Sequence, residues 1–386
     1  MVSSHCERLL NQPFQEGQLL WRVHLLSDPL LNRHTLFLCI NHSISDGASV
    51  TFLLNDWIQH INREGLEVDS SSLSKQPLAN PLWSSMPKSI AGPLGAFSCL
   101  SMLPAFIKGQ KLADQGLNFE SGFNVPISEH RCMATYRRLD SAQAYRVLSL
   151  AKEEGKSVHG LIASGLIHPL LRRVRESQSS LNEQSTFQFP FVSSVNMRDK
   201  ALQNTDELGA IGIQSLGCLS SGVVSMIQVN KDEFQDESSH SSPWLQADQV
   251  NQGIETAFNK NEHWKVLRFY QLVGLNGLKR MFLDASEKPL ATPISFANLG
   301  KVQFGEGENY KLQVSAFEVY AAFHASGAGV NVTANTLNGE LTLCFSCPAP
   351  AMDRADLEKY ADEAIRLLEQ WSGTPKTNDL QPRMYG

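Results

Sequence analysis

The sequence predicts a mixed α/β protein built as two lobes, and three observations carry that expectation. A length of 386 residues exceeds what one hydrophobic core usually supports. Short apolar runs of strand length alternate along the chain with segments whose apolar residues recur at helical spacing. Near the C-terminus, Asn338-Gly339 lies between two β-rich runs, where a tight primed turn needs positive φ.

The elements follow in order. Residues 19–26 and 35–40 are apolar runs separated by Asp28, Pro29, Asn32 and Arg33, the pattern of two neighbouring strands. From Ala48 onward the period changes, and Val50, Leu53, Leu54, Trp57, Ile58 and Ile61 fall on one helix face. Residues 64–126, rich in Ser, Pro and Gly, read as a crossover, so residues 1–125 form the expected first lobe and 126–386 the second. The second lobe opens with an amphipathic stretch over 141–152. A helix led by Ser157 runs on to Leu170, and a strand spans 187–195. The Ser-rich acidic stretch 231–242 suits a solvated loop. Strands over 330–335 and 340–345 flank the hairpin turn, and a final helix covers 353–371. No internal repeat is visible.

Composition narrows the function classes. The formal net charge of -6 comes with no basic block, which argues against a nucleic-acid partner. Seven scattered cysteines, an odd number, look like free thiols in a reducing compartment, so an intracellular, cytoplasmic protein is expected. The first residues lack the apolar core of a secretory signal. The longest uncharged stretch, between Lys88 and Lys108, is interrupted by Gly92, Pro93, Gly95 and Pro104. It reads as a buried or interfacial crossover rather than a transmembrane span.

The chemistry centres on Asn41-His42-Ser43-Ile44-Ser45-Asp46-Gly47, placed where a buried strand hands over to an amphipathic helix. Histidine is the side chain whose ordinary pKa lies nearest neutrality, so beside a hydroxyl or amine it can take a proton during nucleophilic attack. At a strand end its ring can project from a rigid element into a cleft. Asp46 opens the helix, where a carboxylate caps unpaired N–H groups, and Gly47 lets the backbone pack closely. A bare His-x-x-x-Asp spacing arises often by chance as a turn histidine and a helix cap. The strand, the glycine and the helix, in that order, set this occurrence apart.

The motif resembles the active-site motif of the chloramphenicol acetyltransferase-like superfamily, which includes peptide condensation domains, alcohol acetyltransferases, plant BAHD acyltransferases and phthiocerol dimycocerosyl transferase. The resemblance continues in Asn11-Gln12-Pro13-Phe14, Leu20-Trp21-Arg22-Val23, Ser157-Val158-His159-Gly160, Val195-Asn196-Met197-Arg198 and Ile294-Ser295-Phe296-Ala297-Asn298-Leu299-Gly300. Ala297-Asn298-Leu299-Gly300 is similar to the Ser-Asn-Leu-Gly segment of the alcohol acetyltransferase and dimycocerosyl transferase branch.

The resemblance implies two lobes, each a mixed sheet with flanking helices, and an active-site tunnel between them. It implies His42 as the catalytic base and a structural role for Asp46, paired with an arginine for which Arg198 is the candidate. Ser295, Asn298 and Gly300 lie in the segment expected near bound substrate. Family members carry a longer segment before the motif, whereas 41 residues precede His42 here, so an incomplete first lobe is expected. Asn41 stands where condensation domains usually have a first histidine.

Other candidates read as structural. Cys344 and Cys347 lie in a strand pattern that turns residues three apart to opposite faces, and no second pair supports a metal site. His159 and His168 sit in an apolar helix as core or interlobe residues, and His324 has no obvious partner. Asn331-Val332-Thr333 matches a glycosylation acceptor without any sign of secretion. No phosphate-binding glycine loop or Gly-x-Ser-x-Gly elbow is present.

The expected function is O-acyl transfer from acyl-CoA, as co-substrate with no bound cofactor, to a small-molecule alcohol or amine. Two alternatives are condensation on acyl carrier protein thioesters and a catalytically silent binding protein.

Overall fold

The structure is a computed structural model that describes residues 2–64, 81–99, 131–177, 186–202, 215–230, 242–285, 292–305, 312–322, 328–349 and 352–373. The expected lobe boundary at 125/126, most of the acidic stretch (231–241) and His324 lie outside them.

The chain opens with helix α1 (Val2–Leu10), followed by strands β1 (Trp21–Asp28) and β2 (Arg33–Ile40) and the long helix α2 (Gly47–Glu64). β1 and β2 pair antiparallel from Trp21 against Ile40 to Asp28 against Arg33. So short a connection permits only that direction. The first lobe was expected to hold a mixed sheet; among the described residues its sheet is this antiparallel pair. Trp21, Leu25 and Leu36 remain exposed on it. The described part of the uncharged stretch, up to Cys99, forms two short helices, α3 (Lys88–Ala91) and α4 (Pro93–Cys99), broken at Gly92. Among the described residues, no helix is long and apolar enough to cross a membrane.

The second lobe is a six-stranded mixed sheet. Its strands are β3 (Cys132–Leu139), β4 (Thr186–Asn196), β5 (Ser220–Asn230), β6 (Thr292–Lys301), β7 (Ala328–Leu337) and β8 (Glu340–Pro348), in the order β3-β8-β7-β6-β4-β5. β6 runs parallel to β4 and β7, and the outer pairings are antiparallel. The β7–β8 hairpin turns at Asn338 (φ 52) and Gly339 (φ 84), both left-handed as a primed turn requires.

One face of this sheet carries the main core. Helices α5 (Ser141–Glu153), α6 (Val158–Ser177), α8 (Trp244–Asn259) and α10 (Arg354–Ser372) cover it, and a short α7 (Arg198–Leu202) and a long α9 (Glu262–Ala285) complete the lobe. The ordering agrees with sequence pattern. Asp140 caps α5 in a reciprocal capping box with Gln143, and Asp353 caps α10 through the Asp356 N–H. His168 meets Trp371 edge to face, and burial pushes its pKa down to about 4, as suits a core histidine.

The other face carries the polar residues of β7 and β8, which pin an irregular segment, residues 312–322, across the sheet. Thr333 Oγ1 donates to the Val319 carbonyl, Asn335 Nδ2 to Phe317 (3.2 Å) and Ser346 Oγ to Ala321 (2.8 Å). The buried Thr333 and Ser346 hydroxyls and the Asn335 amide nitrogen are thereby satisfied, while Asn335 Oδ1 is buried without a partner. The acceptor-like Asn331 is 5% exposed within β7, so the strand withholds it from modification in the folded protein. Helix α2 ties the first lobe to this face, and Asn55 Oδ1 accepts from the Gly305 N–H (3.2 Å). Asn62 of α2 exchanges hydrogen bonds with Leu312 in both directions (3.0 and 2.8 Å), and Ile58 packs with Val302, Phe304, Phe317 and Leu337. α1 is fastened to the edge strand β3, where Asn11 bonds both the N–H and the carbonyl of Cys132 (2.7 and 2.8 Å).

Candidate active site

The chain leaves β2 through a turn that sets His42 outward. The Asn41 N–H closes the strand end on the Leu20 carbonyl (2.8 Å), Asn41 Oδ1 accepts from the Ser43 N–H (3.0 Å), and the Ile44 N–H returns to the Asn41 carbonyl (3.1 Å). His42 is therefore the first inner residue of a doubly bonded turn, and its side chain is solvent-exposed. Asp46 is the N-cap of α2, with Oδ1 accepting from the Ser49 N–H at 2.9 Å.

Asp46 does much more than cap. It is 5% exposed, and its two carboxylate oxygens accept from four groups. Arg198 Nη2 (3.0 Å) and the Ser49 N–H reach Oδ1; Arg198 Nη1 (2.9 Å) and the Leu219 N–H (2.8 Å) reach Oδ2. Arg198, 1% exposed, uses its remaining N–H groups on Asn196 Oδ1 (3.1 Å), Ser49 Oγ (2.7 Å) and the Ser215 carbonyl, which accepts from Nε at 3.1 Å. Its guanidinium also lies 5.6 Å over the Phe52 ring. Burial pushes the Asp46 carboxyl pKa up. The Arg198 hydrogen bonds and charge and the two backbone donors outweigh burial, and the net pKa falls below the ordinary value.

The network reaches the loop before β5 as well. Ser49 Oγ accepts from the Gly217 N–H (3.0 Å) and donates to the Gly217 carbonyl (2.8 Å), and the Leu219 carbonyl takes the Met197 N–H (2.9 Å). Residues 215–219 are thus held by Arg198, Ser49 and Asp46 together. Between the two anchored residues, Cys218 presents Sγ to His42 Nδ1 at 3.6 Å. That hydrogen bond is the largest cause raising the His42 pKa, to about 9; burial opposes it, and the backbone carbonyl of His42 and the Asp46 charge add to it.

Gly47 touches the second lobe. A Cβ there would come 2.5 Å from Leu299 Cδ2, so the glycine permits close approach to β6. Around Leu299 the strand bulges: Asn298 Oδ1 accepts from the Gly300 N–H (2.9 Å), and Gly300 adopts φ +70.

The structure therefore brings His42, Asp46, Gly47 and Arg198 into one cluster. Ser295 sits within β6 between Val192 and Asn331, and Asn298 is engaged in its own turn; neither joins the hydrogen bonds around Asp46. His159 bonds Ser193 (2.9 Å) and stacks on Phe296, and burial lowers its pKa to about 4. Ser49 closes the motif segment without a role read from it, and Cys218 and the Leu219 N–H carried no sequence signal, because a Gly-Cys pair in a loop has no periodicity to read.

No family model and no curated protein matches this sequence. Solved structures do match in fold. The TRI3 trichothecene 15-O-acetyltransferase from Fusarium sporotrichioides aligns with a TM-score of 0.62 at 14% identity, over 88% of this chain. The first condensation domain of the calcium-dependent antibiotic synthetase aligns at 0.60 and 13%, over 96% of this chain and 74% of its own. The epimerization domain from the third module of tyrocidine synthetase B aligns at 0.55 and 12%, over 96% and 75%. The chain spans 66% of the acetyltransferase's length. Its fold is the one these solved acetyltransferase, condensation and epimerization domains share.

Proposed function

We propose that this protein is an acyltransferase that moves an acyl group from a thioester donor, acyl-CoA, to an alcohol or amine, with His42 handling the proton. The supporting observation is the placement of His42: exposed at a strand end, on a turn anchored to a buried Asp46–Arg198 pair that joins both lobes. A group so held can be poised within hydrogen-bond reach of a bound nucleophile. Asp46 has its lone pairs committed and serves as scaffold rather than as acid or base.

In the simplest route, neutral His42 takes the acceptor hydroxyl proton as the oxygen attacks the thioester carbonyl. The carbon–sulfur bond then breaks, and the imidazolium returns the proton to the departing thiolate. Preorganised donors at the developing oxyanion would contribute on the order of 3 kcal/mol each.

The test is free-thiol release from acetyl-CoA and longer acyl-CoAs with an alcohol and amine panel, run beside His42→Ala, with an acyl carrier protein thioester as a further donor. Acceptor-dependent release lost in the variant is the expected result. Absence of turnover with every donor, or equal rates for the two proteins, overturns the reading. Release from the carrier thioester alone moves the donor assignment to condensation-type chemistry.

A further inference from the structure

Cys218 and His42 come from opposite lobes and lie 176 positions apart, yet Sγ and Nδ1 stand 3.6 Å from each other. The contact is not a chance meeting of two loose side chains. The peptide groups on either side of Cys218 are bonded to Ser49 and Asp46, on the helix that begins five residues after His42. The ion pair that carries the His42 turn thus also fixes the loop that carries Cys218. Cys218 is half-buried and His42 exposed, so the pair borders solvent, whereas Cys99, Cys132, Cys344 and Cys347 are buried.

Resting on the acyl-transfer reading of this site, we propose that Cys218 is a catalytic nucleophile paired with His42, and that transfer passes through an S-acyl-Cys218 intermediate. In the first half-reaction the Cys218 S–H proton passes to His42 Nδ1 and the thiolate attacks the donor thioester carbonyl. The carbonyl-to-donor-sulfur bond breaks, and the donor thiolate leaves with the proton from the imidazolium. One thioester replaces another, so no oxidant, reductant or energy source is needed. In the second, neutral His42 takes the proton of the acceptor hydroxyl or amine as it attacks the acyl-Cys218 carbonyl. Cys218 leaves as thiolate and takes the proton back from the imidazolium, which restores the starting thiol and neutral ring.

The electrostatics of His42 fit this order. The Cys218 hydrogen bond is the largest cause raising the His42 pKa, so thiol and ring are coupled through the contact between them. Acylation removes the Cys218 hydrogen bond that raises this pKa, and His42 is then the base that takes the acceptor's proton.

Two measurements test the proposal on the full chain. Per-residue mass spectrometry after brief iodoacetamide treatment at pH 7 reads activation. The expected result is labelling of Cys218 at least about tenfold faster than in His42→Ala, because the thiolate is the reacting form. Equal labelling in the two proteins overturns the pairing.

Incubation with acetyl-CoA, and separately with the small thioester S-phenyl thioacetate, without acceptor, then reads the intermediate. One acetyl group on the Cys218 peptide, absent in Cys218→Ala and discharged by an added acceptor, is expected. No adduct from either thioester overturns the nucleophile, even where labelling shows activation. Transfer rates separate the roles. Cys218→Ala should lose at least about a hundredfold, and Cys218→Ser, which keeps a hydrogen-bonding group, should not recover the rate. Wild-type transfer in Cys218→Ser, with melting unchanged, assigns Cys218 to positioning His42 and overturns the covalent route. It leaves the acyltransferase reading intact.

Discussion

Arg198 and Asp46, 152 positions apart, form a buried two-pronged ion pair in which each guanidinium terminal nitrogen meets a different carboxylate oxygen. The pair is the joint between the helix that follows His42 and the second lobe. Removing either partner strands an uncompensated charge in the interior, so Asp46→Ala and Arg198→Ala should each destabilise by about 3–5 kcal/mol. Urea unfolding measures this, and losses under about 1 kcal/mol would show that the joint is not buried in solution.

The same pair has a sign in pH. The folded Asp46 pKa is depressed, so its contribution is complete above the ordinary value of about 3.8 and is lost as the pH falls through the lower folded value. The unfolding free-energy difference between wild type and Asp46→Asn should therefore be constant above that value and shrink below it.

His42 behaves in the opposite sense. Its folded pKa is raised from about 6.5 to about 9, so the Cys218 contact stabilises below the ordinary value and is lost as the pH rises through about 9. Titration of ring-labelled histidine by NMR should find His42 ionising well above an ordinary histidine, and Cys218→Ala should move it down. An unmoved midpoint would remove Cys218 as the cause.

His42 is exposed, so at a pH above about 9, where the Cys218 contact no longer contributes, His42→Ala should leave the unfolding midpoint nearly unchanged, while near neutrality it lowers acyl transfer by roughly 10²–10⁴-fold, the usual worth of a positioned proton-transfer group. A parallel fall in stability would instead assign the residue to the scaffold.

Gly300 holds the bulge that aims Leu299 at Gly47. With φ +70 and open space where a Cβ would stand, Gly300→Ala should cost about 1–2 kcal/mol through the backbone alone. Its effect on acyl transfer should appear through altered contact of Leu299 with the motif helix.

Much of the fold could be read locally. The β2–turn–α2 unit, the Asn338-Gly339 hairpin and the capped final helix each follow from short-range pattern, because periodicity, turn φ and capping are settled within a few residues. The β1–β2 pair is legible in the two apolar runs, whereas the mixed sheet that the resemblance implies for the first lobe is not present among the described residues, since sheet make-up depends on which distant segments pair.

What the sequence determined by itself is the motif and its frame: a histidine at a strand end, a carboxylate at the helix cap and a glycine behind it. The tertiary structure decided what those groups do. The resemblance already points to Asp46 paired with Arg198, and folding closes that 152-residue separation with a saturated carboxylate, while a 176-residue separation closes to set a thiol against His42. Such approaches arise from the packing of one lobe on another, a relation between distant segments that neither segment's own residues encode.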